Sequence, residues 1–120
     1  METVVDTVNL GTPIAYRSAG SGRPVVFLHG NPTSSYLWRD VLGQVSAIAR
    51  CIAPDLVGMG GSGPSDADAS LRYRFVDHRR YVEAFFEALG LTDDVILVGH
   101  DWGGVLAVDW ARRHPDAVRG

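Results

Sequence analysis

The sequence contains no lysine: all 11 of its basic residues are arginine, set against 14 Asp and Glu for a net charge of −3. A chain with this balance lacks the basic face that nucleic acid requires, and it gains nothing from an anionic membrane surface, so neither partner is expected. Cysteine is almost absent as well. Cys51 stands alone, which excludes an internal disulfide, and no cysteine cluster exists for a structural zinc. Long apolar runs are missing: Val95-Ile96-Leu97-Val98 is the longest that reads as one element, far below the roughly 20 residues that span a bilayer. The opening METVVDTVNLG carries two acids and no basic, apolar leader pattern. Neither a signal peptide nor a transmembrane helix is expected, and a cytoplasmic setting is.

What remains is sufficient for a packed core. Of the 120 residues, 46% are apolar and 21% charged, with a mean hydropathy of +0.03, the profile of one small globular domain. Thr3–Leu10 and Pro13–Ala19 read as a hairpin with Gly11 in the turn. Pro24–Leu28 and Arg50–Pro54 are short, continuously apolar runs, the pattern of parallel strands buried on both faces. Between them a helix is expected, capped by Ser34 or Ser35, with Leu37, Val41, Val45 and Ile48 on its buried face. Gly58–Ser70 is rich in Gly, Ser, Asp and Pro and reads as a surface loop. A second helix is predicted from about Phe75 to Leu89, burying Tyr81, Val82, Phe85, Phe86 and Leu89, with Gly90 as its C-terminal stop. Asp94–Val98 is a third strand, and a third helix runs from Trp102 to just before Pro115. The order is a β-hairpin followed by alternating strands and helices, which means an α/β domain with a mostly parallel sheet.

In such sheets, chemistry gathers at the carboxyl ends of the strands. Three of those ends carry polar or glycine-rich sequence: His29-Gly30-Asn31-Pro32, Asp55–Gly60 and Gly99-His100-Asp101-Trp102-Gly103-Gly104. In the last, small residues flank Asp101 between a strand and a helix, the setting of an exposed nucleophile on a sharp turn. The same residue could instead serve only as the N-cap of the third helix. A serine there would need a base to become nucleophilic. A carboxylate is already anionic at neutral pH, and it suits displacement at saturated carbon through an ester that water later cleaves. Asn31 and Trp102 add hydrogen-bond donors on either side, and neither is an acid. A departing halide needs such donors and no proton, and each is worth about 10²–10³ in rate. Alone, Asn31 is a turn residue before Pro32 and Trp102 a core aromatic.

The runs HGNPTSSYLWR (His29–Arg39), APDLVGMGGS (Ala53–Ser62) and VGHDWGG (Val98–Gly104) resemble the haloalkane dehalogenases of the α/β-hydrolase fold. The likeness continues through YRFVDHRRYVEAFFEALGL (Tyr73–Leu91). It implies that Asp101 is the nucleophile, that Asn31 and Trp102 hold the halide, and that their backbone N–H groups form the oxyanion hole. The implied substrate is a small halogenated alkane, with no cofactor and no metal. Epoxide hydrolases and the coelenterazine luciferases share parts of these motifs and are the alternative readings, as is an inactive, non-enzymatic fragment.

The resemblance also implies an acid and a histidine after the nucleophile, and only 19 residues follow Asp101. Residues 1–120 therefore read as a partial domain, the N-terminal part of such a fold, ending before the cap and unable to complete turnover alone. His29, His78, His100 and His114 read as structural. Arg79, Arg80, Arg112 and Arg113 read as solvated helix faces, Asp55 as the organiser of the Gly58–Gly63 loop, and Val95–Val98 as an exposed apolar sheet edge.

Overall fold

The alternating runs assemble as the pattern requires. In the computed structural model, which describes residues 2–120, β1 (Val4–Asn9) and β2 (Pro13–Ala19) form the expected antiparallel hairpin. Three further strands, β3 (Pro24–Leu28), β4 (Arg50–Pro54) and β5 (Ile96–Gly99), complete a sheet of order β1-β2-β4-β3-β5. β3 runs parallel to both β4 and β5, while β2 pairs antiparallel with β4. The helices are α1 (Arg39–Val45), α2 (Phe75–Ala88) and α3 (Trp102–Arg113), with a single 3₁₀ turn at Ser35–Trp38 leading into α1. This is the expected α/β class, with the parallel strands β4, β3 and β5 side by side at one end of the sheet and the hairpin at the other.

The unbroken apolar runs of β3 and β4 follow from burial on both faces. Val26, Leu28 and Ile52 pack with Phe85, Phe86, Leu106 and Trp110, residues of α2 and α3. Their alternating neighbours Val25, Phe27, Cys51 and Ala53 pack with Trp38 and Leu42 on the other side. No described helix is long and apolar enough to cross a membrane.

The first helix corrects the sequence reading. Ser34 does cap the turn, its hydroxyl accepting the Tyr36 N–H at 3.3 Å. Of the expected buried face only Val45 packs against the core, half-buried: Leu37 and Val41 are about two-fifths exposed and Ile48 is 86% exposed. Trp38 and Leu42 point inward instead, Leu42 being wholly buried and Trp38 lying 5.3 Å from the Phe27 ring. The 3₁₀ entry winds three residues per turn, which rotates the stripe by one position, and α1 ends at Val45 before Ile48. Leu42→Ala is therefore expected to cost about 2–5 kcal/mol, whereas Leu37→Ala stays within about 0.5 kcal/mol; denaturant unfolding measures both.

The edge strand also differs in part from expectation. β5 is the edge of the sheet, but its outer side is not bare. Val95 donates to the Ala117 carbonyl at 2.8 Å, Arg119 to Val95 at 2.7 Å and Leu97 to Gly120 at 2.8 Å. Residues 117–120 thus begin a parallel ladder along it, satisfying backbone groups an open edge would leave unpaired.

Candidate active site

Between β5 and α3 the chain must reverse within two residues. Asp101 absorbs the turn with φ 58° and ψ −124°, a conformation outside the ordinary regions for a residue with a Cβ. The close approach of α3 to the sheet depends on glycine: a Cβ on Gly103 would overlap the Leu28 carbonyl, and one on Gly99 would lie 2.5 Å from the Gly104 Cα. The Asp101 side chain makes no capping hydrogen bond to α3, so capping does not account for it. In the first turn Gly103 donates to the His100 carbonyl at 3.0 Å and Gly104 to that of Asp101 at 2.9 Å. The Trp102 N–H, first in the helix, is left as a donor at its positive end.

Asn31 follows β3, the strand paired with β5, which brings it beside that turn. Its backbone N–H donates to Asp101 Oδ2 at 3.4 Å. Gly30 makes the approach possible, because a Cβ there would sit 2.6 Å from the Asp101 Cβ. The Gly30 carbonyl in turn accepts the Thr33 N–H at 3.1 Å and its hydroxyl at 2.8 Å, which closes the loop. Asn31 and Trp102 line one cleft together with Tyr73, Arg74, Phe75 and His78. The three residues singled out from the sequence, Asn31, Asp101 and Trp102, thus lie together. The cleft is open, with Trp102 47% exposed.

The comparisons with known proteins can be set against this geometry. The family model described as the alpha/beta hydrolase fold matches residues 23–120, the whole stretch from β3 through α3. The chain belongs to the alpha/beta hydrolase fold family. Among its relatives, a haloalkane dehalogenase from Sphingobium indicum is 51% identical over 110 residues, covering 92% of this chain and 37% of that protein. Another, from Bradyrhizobium diazoefficiens, is 54% identical over 113 residues, covering 92% and 35%. The crystal structure of the haloalkane dehalogenase DatA from Agrobacterium tumefaciens C58 superposes with a TM-score of 0.89 at 42% identity, covering 98% of this chain and 39% of that one. A loop variant of the dehalogenase DbeA from Bradyrhizobium elkanii gives 0.90 at 43%, covering 100% and 39%. The chain spans little more than a third of the length of these relatives.

Within this hydrolase fold the histidines divide by environment. His29 is fully buried; its Nε2 accepts the Leu56 N–H at 2.9 Å and its Nδ1 lies 2.7 Å from the Gly30 carbonyl, which makes Nδ1 the protonated nitrogen. Burial holds this imidazole below its usual range, against the opposing pull of Gly30 and Asp55. His114 binds Glu83 at 2.8 Å past the end of α3. His100 continues the β3–β5 ladder through its N–H to the Leu28 carbonyl at 3.1 Å. His78 borders the cleft with a buried, unpartnered Nδ1, and burial lowers its pKa although Asp77 opposes this. Asp55 organises its loop as expected, accepting the Gly61 N–H at 2.9 Å and the Ser35 N–H at 2.7 Å.

Sequence reasoning missed the cleft wall of Tyr73, Arg74, Phe75 and His78. The one signal was an aromatic cluster at the junction of a glycine-rich loop and a helix. Tyr73 is fixed there by its N–H to Asp77 Oδ2 at 2.9 Å and by its hydroxyl, which accepts the Ser65 N–H at 3.2 Å.

Two of the four arginines, Arg79 and Arg113, correct the reading of solvated faces, while Arg80 and Arg112 keep exposed side chains as expected. Asp109 of α3 is 8% exposed and accepts Arg79 of α2 through two bonds of 2.9 and 3.0 Å, as well as Arg112 and Arg113 at 3.1 Å. Arg113 and His114 both reach Glu83, and Arg80 pairs with Asp66 and Asp77. Periodicity puts these arginines on helix surfaces, but here two such surfaces face each other. Burial alone would raise the Asp109 carboxyl, but its arginine hydrogen bonds outweigh burial and hold it below the usual carboxylate range. Its stabilising contribution is therefore complete above that range and lost as pH falls through the depressed value. Asp109→Asn is expected to lower the melting midpoint at neutral pH, and the gap to the parent should narrow in melts run at pH values falling below the ordinary carboxylate range.

Proposed function

We propose that the protein carrying this chain hydrolyses carbon–halogen bonds in small haloalkanes. The reading rests on one observation: an uncapped Asp101 carboxylate on a strained turn, with the Asn31 N–H directed at its Oδ2 and Trp102 lining the same cleft. Asp101 attacks the halogen-bearing carbon with a carboxylate electron pair. A carbon–oxygen bond forms, the carbon–halogen bond breaks, and halide leaves as an anion. The Asn31 side-chain amide and the Trp102 indole N–H receive it, and neither need transfer a proton. Water then adds to the ester carbonyl, where the oxyanion is met by the backbone N–H groups of Asn31 and Trp102. Alcohol and a proton are released and the carboxylate is restored. That step needs a base, and neither His29 nor His114 supplies it, since both are committed within the fold.

An epoxide would need a proton donor at the departing oxygen. Tyr73 borders the cleft with its ring against Gly58, and its hydroxyl oxygen accepts the Ser65 N–H while keeping its own proton to donate, so the two substrates are separated by experiment. The test is incubation of the native protein with a bromoalkane, following bromide and alcohol together. Equal release of both is expected. Hydrolysis of an epoxide to a diol with no bromide released would overturn the reading.

A further inference from the structure

We propose that Phe75 is the positioning residue for the Trp102 indole, locked by a stack that runs from Asp109 through Arg79. The inference rests on the reading that the Trp102 N–H receives the departing halide. Trp102 is half exposed at the first position of α3, so its own helix offers little to fix two side-chain torsions. Phe75, the first residue of α2, meets it with ring centroids 6.0 Å apart and planes inclined by 36°. One turn further along α2, the Arg79 guanidinium carbon sits 5.3 Å from the Phe75 centroid, within cation–π range. Arg79 is not free to leave, because Asp109 holds it through two hydrogen bonds. Asp109 lies two turns beyond Trp102 on α3, so the contacts close a circuit: Trp102, Phe75, Arg79, Asp109 and back along the helix.

Phe75 carries no group able to hydrogen-bond a halide; its half-buried ring lines the cleft beside Trp102 while packing against the core that holds Tyr81, Val82, Phe85 and Phe86 of its own helix. Its place in the circuit has a consequence for binding, since an N–H···halide contact weakens steeply as the N–H turns away. Loss of the Phe75 ring releases the indole and blunts that donor.

The test is bromide titration of the native protein followed by tryptophan fluorescence. Trp38 and Trp110 are buried, and Trp102→Phe identifies the responding indole. Phe75→Leu keeps apolar volume but no ring, and is expected to weaken bromide binding about tenfold, the loss of roughly one well-aligned donor. Phe75→Tyr should restore the parent affinity at an equal melting midpoint, a rescue that mere space-filling would not require. Arg79→Met, which removes the outer clamp and leaves the ring, should weaken binding in the same direction by less. Parent-like bromide affinity in a folded Phe75→Leu overturns the inference; if that variant does not fold, parent-like affinity in Arg79→Met does so. A parent protein whose Trp102 gives no bromide response overturns the halide reading itself, a result distinct from unchanged affinity in the variants.

Discussion

Asp101→Gly is expected to abolish halide release, by about 10⁴-fold or more, and at the same time to raise stability. The first effect follows from chemistry. Among the described residues no other carboxylate shares the junction of β5 and α3 with the Asn31 N–H, so its removal leaves nothing there to form the ester. The second follows from the backbone. A residue with a Cβ at φ 58° and ψ −124° carries about 1–3 kcal/mol of strain, and glycine relieves most of it. The cost of that conformation is repaid by exposure: it lifts the carboxylate clear of the helix it precedes. A bromide-release assay and a thermal melt on one preparation report both effects. Loss of activity with loss of stability would mean that Asp101 serves the fold.

The second large effect belongs to Gly103. α3 begins almost on top of β3, and a Cβ at Gly103 would overlap the Leu28 carbonyl, a backbone atom that cannot rotate aside. Gly103→Ala must push helix and sheet apart, and is expected to cost about 3 kcal/mol or more by denaturant unfolding. Gly104 is the internal control. A Cβ there would find its nearest neighbour at 3.8 Å, so Gly104→Ala is expected to stabilise by up to about 1 kcal/mol through helix propensity. Equal effects at the two positions would mean that the tight approach of α3 is not what selects glycine.

How far the sequence could be read depends on what each element is covered by. β3 and β4 were legible because burial on both faces leaves an unbroken apolar run. α2 was legible because 14 residues give the helical period room to show itself. The seven residues of α1 do not, and the 3₁₀ turn before them moved the buried stripe from Leu37 and Val41 to Trp38 and Leu42. Periodicity identifies a face but not what lies opposite, so the pairing of Arg79 of α2 with Asp109 of α3, and of Arg113 with Glu83, left no trace in spacing. The cleft wall was hidden for a related reason. The path of the loop into α2 is set by long-range hydrogen bonds, such as Tyr81 donating to Asp66 at 2.7 Å, rather than by local turn chemistry. The Asp101 turn was the most legible part of the site, since a strand, a flanked acid and a helix in immediate succession have few other arrangements.

The most direct measurement is the mass of the proteolytic peptide containing Asp101, taken after mixing the native protein with a bromoalkane and quenching within the first turnovers. A carboxylate nucleophile predicts that peptide heavier by one alkyl group in place of a proton, with the ester at Asp101. Bromide released in full while the Asp101 peptide keeps its parent mass, or an alkyl group found on another residue, would contradict it.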